Sequence, residues 1–382
     1  MHFSKIALPV LLAGSIGALF MENDALAAQG VFKLGLYIAE HGYPNPQSCT
    51  QANMSIRREW STFSRPEKLH FIDSVKCLAT KPARTPAAIA AGAKTRYDDF
   101  VVAHIRQTPR IHFSGLFLAW HRYFIWALEQ TLRNECGYQN HLPYVNWPWW
   151  THDPLNSPLF DGSDTSLSGN GVYIGGRNAS CLPTSENCVY VIHPGTGGGC
   201  VTSGPFQNWT VNLGPIQETW PTTASNPQAD GLGANPRCLT RDINLQAIGD
   251  GTDDVVVSLI NDAKSIGEFQ NRIQSSTSTR IGFHGSGHFG IGGAAIDVYN
   301  SPADPAFYLH HGMMDRIWTT WQNMDLDNRQ FVVSDTLTLN NIPPSRNATL
   351  EDILDLEFIG LPNITIADAV STVAGPFCYI YA

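Results

Sequence analysis

Apolar and polar positions along the chain alternate with helical spacing in two separated regions. Tyr97, Phe100, Val101 and His104 fall at i, i+3, i+4 and i+7, so one face of a helix gathers three large side chains and an imidazole. They lie within an alanine-rich stretch from Pro86 to Arg106, and residues 53 to 150 as a whole carry the strongest helical patterning. A second helix starts near Phe117, where His121, Phe124, Ile125, Leu128 and Leu132 occupy offsets 0, 3, 4, 7 and 11 and place the histidine on the buried stripe. From 153 to 250 the periodicity fades into Gly, Ser, Asn and Pro clusters, which predict a long loop region. Beyond it, Ile266 to Phe289 predicts a helix broken or frayed at Gly285 and Gly287. Asp304 and Pro305 form an N-cap and N1 pair that opens a helix to about Gln322, with Phe307, His311, Met314 and Trp318 on one stripe. Short apolar runs separated by turns from Phe331 to Ala382 predict strands or extended packing. No tandem repeat is visible. A faint echo is: Phe117 precedes His121 by four residues, as Phe307 precedes His311.

Composition narrows the class. With 43% hydrophobic and 15% charged residues, the 382-residue chain can build a large core and is unlike a disordered tail or coiled coil. A net charge of -9 and no basic run longer than Arg57-Arg58 disfavour nucleic acid as a partner. The first residues read as a secretory signal, with Lys5, an apolar stretch from Ile6 to Phe20, and Ala25-Leu26-Ala27 as a small-residue cleavage site. Residues 1–27 are therefore expected to be a leader and 28–382 one secreted domain with no membrane span, against the alternative of a retained N-terminal anchor. Eight cysteines, Cys49, Cys77, Cys136, Cys181, Cys188, Cys200, Cys238 and Cys378, suit four disulfides, whose pairing the sequence leaves open. Zinc is the competing use, but no CxxC occurs and the spacings are irregular. Five sequons, at Asn53, Asn178, Asn208, Asn347 and Asn363, agree with secretion as glycosylation candidates.

The candidate chemistry lies in the histidines. His104, His112 and His121 are spaced by eight and nine residues, His284 and His288 by four, and His311 follows 23 later. An i, i+4 pair points two imidazoles at one metal, yet Gly285 follows His284 where a zinc protease needs its glutamate base. A satisfied core histidine would explain any one of these positions. It does not explain six on patterned helices in apolar surroundings, where an unpaired imidazole is costly. Neutral imidazoles suit Cu, Zn, Fe and Ni, and two three-histidine sites without carboxylates favour copper, which three nitrogens can hold in either oxidation state with a face open to dioxygen.

The blocks HFSGLFLAWHRYFIWALE (112–129), YVNWPWWTHD (144–153), FHGSGH (283–288) and DPAFYLHHGMMDRIWTTWQ (304–322) resemble the copper-binding segments of type 3 copper proteins, the tyrosinase, catechol oxidase and haemocyanin superfamily. Secretion, eight cysteines and short length are most similar to the short fungal polyphenol oxidases. The resemblance implies a mainly α fold, a four-helix bundle holding a dicopper centre with long disulfide-stapled loops and a few short strands. It implies that His104, His112 and His121 bind one copper ion and His284, His288 and His311 the other, with His310 a neighbour. It also implies that Asp315 orients an imidazole, that Phe117 and Phe307 pack around the metals, and that Val298 gates access above the first copper. Tyr379-Ile380-Tyr381 matches the motif that often ends the family's catalytic domain, so the shielding domain of longer relatives is expected to be absent.

Three departures from the family pattern shape the expected activity. Arg110 stands where many members carry a cysteine that forms a thioether to the second ligand, so no crosslink is expected. Gly285 and Ser275 stand where monophenol-hydroxylating members place an Asn and a Glu that hold a deprotonating water. Phe289, after His288, makes the entrance more apolar. The expected activity is oxidation of o-diphenols to o-quinones with O2, with weaker hydroxylation of monophenols. The alternatives are a tailoring oxidase of one secondary metabolite or a reversible O2 carrier.

Overall fold

The computed structural model describes residues 20–184, 186–217 and 223–382. Among the described residues the helices up to the buried central rod are α1 (Glu22–His41), α2 (Arg65–Leu78), α3 (Arg96–Ile111), α4 (Phe117–Cys136), α5 (Leu245–Ile248), α6 (Asp253–Asp262), α7 (Ile266–Gln274), α8 (Phe283–Ile291) and that rod itself, α9 (Ala306–Asn323). At the centre, α4 packs on α3 and α9, and α9 packs on α8. Among the described residues the strands form two-stranded pairs: β1 (Ser55–Arg57) with the C-terminal Tyr379–Tyr381, and four antiparallel pairs elsewhere. The chain is thus mainly helical, as the sequence predicts.

Local chemistry sets the helix ends. Thr95 caps α3 reciprocally with Asp98, its hydroxyl accepting from the Asp98 amide while the carboxylate accepts from the Thr95 amide. The helix therefore begins at Arg96, and the alanine-rich residues 86–95 before it form turns rather than helix. Pro109 sits in the last turn, α3 stops at Ile111, and His112 leaves it in extended conformation. Gly137, left-handed at φ 70°, closes α4. Helix α9 is buried on every side, so its predicted stripe of four residues is part of a wholly enclosed rod.

One expectation changes. The break within 266–289 falls at residues 275–282, between α7 and α8, while α8 runs unbroken through Gly285 and Gly287. The proposed leader lies partly outside the described residues, but Glu22–Ala27 are the first turns of α1, which packs along α9. Asn23 is fully buried and bonds Asp253, and Arg316 reaches Asn23 Oδ1 at 2.6 Å and Asp24 Oδ1 at 2.8 Å. A boundary after Ala27, the end of the expected leader 1–27, would fall inside this packed helix.

All eight cysteines pair: Cys49 with Cys378, Cys77 with Cys136, Cys181 with Cys188 and Cys200 with Cys238. Two of these bridges staple the middle region 153–250, where β3 (Ser180–Pro183) and β4 (Cys188–Ile192) make a hairpin, after β2 (Gly171–Tyr173). With no free thiol, a thioether to a histidine is excluded, in line with Arg110. All five sequon asparagines are exposed. No helix among the described residues is long and apolar enough to cross a membrane.

Candidate metal centre

The four central helices bring the six predicted histidines together. His104 comes from α3, His112 from its C-terminal end, and His121 from α4; His284 and His288 come from α8 and His311 from α9. Within each group the ligand nitrogens lie within 4.8 Å of one another. The groups face each other: the His121 and His311 rings stack at 4.4 Å between centroids, and His112 and His284 at 6.0 Å.

Backbone carbonyls fix the orientation of four of the six rings. His104 Nδ1 lies 2.8 Å from the Tyr299 carbonyl, His121 Nδ1 2.8 Å from that of Phe117, His288 Nδ1 2.9 Å from that of Ala295, and His112 Nδ1 a longer 3.4 Å from that of Thr108. A carbonyl only accepts, so each Nδ1 carries the proton and each Nε2 keeps its lone pair. His104 Nε2 and His121 Nε2 are buried with no partner. His288 Nε2 lies 3.0 Å from His284 Nε2 and 3.2 Å from His311 Nε2. Converging lone pairs in a buried site fit a soft-to-borderline metal ion at each group, and the lack of carboxylates favours copper.

Burial reinforces this. It holds His112 down to about 3 and His288 to about 4, with the neighbouring His288 charge adding to the shift at His112. His104, His121, His284 and His311 are lowered as well, by burial first and neighbouring imidazoles second. The rings are therefore neutral and ready to ligate at ordinary pH. His284 and His288 keep 7% and 8% exposure against 0% and 1% for His104 and His112, so the side of the two groups nearest the surface is that of α8.

Aromatic residues surround the two groups. Phe307 packs between the groups, 4.1 Å from the His311 ring and 5.3 Å from that of His104, and Phe117 lies 5.1 Å from His121 and 5.0 Å from His284. Val298 is half-buried just before Tyr299, whose carbonyl orients His104. Gly285 is half-buried one residue after His284. Phe289 packs toward the β3–β4 hairpin, against the group formed by Tyr190, Ile192, Ala247 and Ile281.

Asp315 differs from the expectation. Its carboxylate meets no imidazole: Oδ1 accepts from Arg122 at 2.6 Å, and Oδ2 from the Tyr379 and Tyr381 hydroxyls, each at 2.6 Å. Arg57, also against Asp315 at 3.5 Å, bonds Glu129 and stacks 3.7 Å over Tyr379. The chain-end Tyr-x-Tyr motif is thus tied into the centre of α9. Sequence reasoning missed the role of His310, which joins the second group geometrically but has both ring nitrogens engaged.

Two facing three-imidazole groups in a helical core define the type 3 copper class. Residues 94–324 match the common central domain of tyrosinase. The chain is 41% identical over 313 residues to tyrosinase-like protein orsC of Emericella nidulans, covering 79% of this chain and 83% of that protein. It is 38% identical over 350 residues to tyrosinase P of Aspergillus terreus, covering 87% and 96%. A solved structure of a mutant polyphenol oxidase from Thermothelomyces thermophila superposes with a TM-score of 0.87 at 38% identity, covering 94% of this chain and 97% of that one. The chain belongs to the tyrosinase family and is a copper oxidoreductase.

Proposed function

We propose that this oxidoreductase converts o-diphenols to o-quinones, two catechols and one O2 giving two quinones and two waters, with weaker hydroxylation of monophenols. The observation that carries the reading is the pair of facing three-imidazole groups whose Nε2 lone pairs converge in a buried site. Two copper ions, held by His104, His112 and His121 and by His284, His288 and His311, would supply O2 binding and electron transfer when bound. The chain's own contribution is orientation and access. Carbonyls of Tyr299, Phe117 and Ala295 hold the rings. Phe307 and Phe117 exclude water around them, and the partly exposed α8 side admits the phenol. Beside that opening Gly285 offers no side chain to hold a water for deprotonating a monophenol, which supports the preference for catechols.

A tailoring role on one elaborated phenol is the second reading. It is favoured by 34% identity over 355 residues, covering 89% of this chain and 95% of the relative, to a protein named N-acetyl-6-hydroxytryptophan oxidase from Emericella nidulans. Secretion, with a leader removed upstream of Glu22 and glycans on the exposed sequons, belongs to the same proposal. The test is a copper count near two per chain together with oxygen uptake on catechol, phenol and bulky hydroxyindoles. Catechol turnover supports the first reading, and strong uptake only on elaborated phenols the second. Reversible oxygenation without turnover of any phenol overturns both.

A further inference from the structure

His310 stands beside a ligand and has a job of its own. The indole Nε1 of Trp147, which can only donate, lies 3.0 Å from His310 Nδ1. Nδ1 must therefore be the unprotonated nitrogen, and the proton sits on Nε2, 3.0 Å from the backbone carbonyl of His284. Both nitrogens are spent, so His310 has no lone pair for a metal although it lies within the second group. Its ring also lies directly on α8: a Cβ built on Gly287 would come within 2.2 Å of His310 Nδ1 and Cε1, so only glycine allows this approach. The ring is fully buried and spans from the Trp147 loop to the helix that carries His284 and His288.

We propose that His310 is a positioning residue for the second metal site: locked as its Nε2–H tautomer by Trp147, it holds the His284 carbonyl and fixes α8 against α9. The inference rests on the reading that this group binds copper, but its test needs no turnover. In the full chain, Trp147→Phe removes the locking donor and leaves a cavity beside Phe160 whose cost the metal-free midpoint reports, His310→Phe removes both bonds with a ring retained, and His310→Gln can restore a donor toward the His284 carbonyl. Copper retention against a graded copper(I) chelator series is read with the thermal midpoint of the metal-free protein. Partners that orient metal ligands are generally worth roughly 10 to 100-fold in metal affinity. The expected result is that Trp147→Phe and His310→Phe each release one of the two copper ions about tenfold more easily, with His310→Gln partly restored and the other ion unaffected. Nitrogen-15 spectra of labelled metal-free protein should show a single Nε2–H tautomer at His310 and a mixture in Trp147→Phe. Three outcomes overturn the proposal: unchanged retention in His310→Phe; loss in His310→Phe with full retention and an unmixed tautomer in Trp147→Phe; or equal weakening of both ions that tracks a drop in the metal-free midpoint. Failure of wild-type protein to retain two copper ions overturns the underlying reading instead.

Discussion

At the residue scale, Gly285 marks where selectivity between monophenols and catechols can be changed. A Cβ at this helical position would meet Cγ1 of the buried Ile281 at 2.9 Å, so that side chain must change rotamer to admit it. Gly285→Asn should cost some stability and raise the monophenol rate a few-fold relative to the catechol rate, short of the roughly 10²–10⁴ of a complete acid–base device, because Ser275 supplies no carboxylate. Equal change of both rates, measured as initial oxygen uptake, would remove water placement as the explanation. Asp315 makes the complementary case. Asp315→Asn leaves Arg122 and Arg57 short of their buried anion and should cost about 3–5 kcal/mol in stability, while copper retention changes little because no imidazole touches it. A selective loss of copper affinity would restore the ligand-orienting role. The six ligands were legible because apolar surroundings and helical spacing leave an imidazole few other uses. Asp315 and His310 were not, since their partners, Tyr379, Tyr381, Trp147 and the His284 carbonyl, are distant in sequence and only packing brings them together.

At the element scale, the helices that hold ligands could be read from periodicity, but α1 could not. Its alanines and apolar residues read as the end of a leader, while its place against the core rests on long-range contacts: Asn23 and Asp24 meet Arg316, Asn146 and Asp253. The glycines of α8 misled for a related reason. Helix propensity counts them as breaks, whereas Gly287 is small to admit the His310 ring, a need visible only once α9 is in place. The α1 contacts make a direct prediction. A chain beginning at Ala28 strands the nearly buried Arg316 guanidinium without its two partners, and should be about 3–5 kcal/mol less stable than one beginning at Glu22. Denaturant unfolding of the two chains checks this, and indistinguishable midpoints would show that the first turns of α1 contribute nothing.

At the scale of the whole molecule, gathering seven buried imidazoles ties stability to protons as well as to metal. In metal-free protein, His112 stays neutral down to about pH 3 and His288 to about 4, while an unfolded chain protonates them below about 6.5. Between those values the unfolded state binds more protons, so stability falls as pH falls, by about 1.4 kcal/mol per pH unit for each such histidine once well below 6.5. His104, His121, His284, His310 and His311, also lowered by burial, act in the same direction. Glu59, Asp98 and Asp297, whose carboxyls burial pushes up, act in the opposite sense but are fewer. Glu129 is held down to about 2: burial alone would raise it, and Arg57 and His141 outweigh that, so its contribution is lost only below about pH 4.5. The stripped protein should thus lose stability steeply from pH 6.5 toward 5, well before its buried Arg57–Glu129 pair is affected. Copper binds the folded state and not the unfolded one with comparable geometry, so the loaded protein should hold its thermal midpoint further down the same range. The two midpoint curves should converge only where protons displace the metal from the imidazoles. A stripped protein with a flat profile from pH 7 to 5 would mean that these rings are protonated in the fold and that the converging lone pairs do not exist.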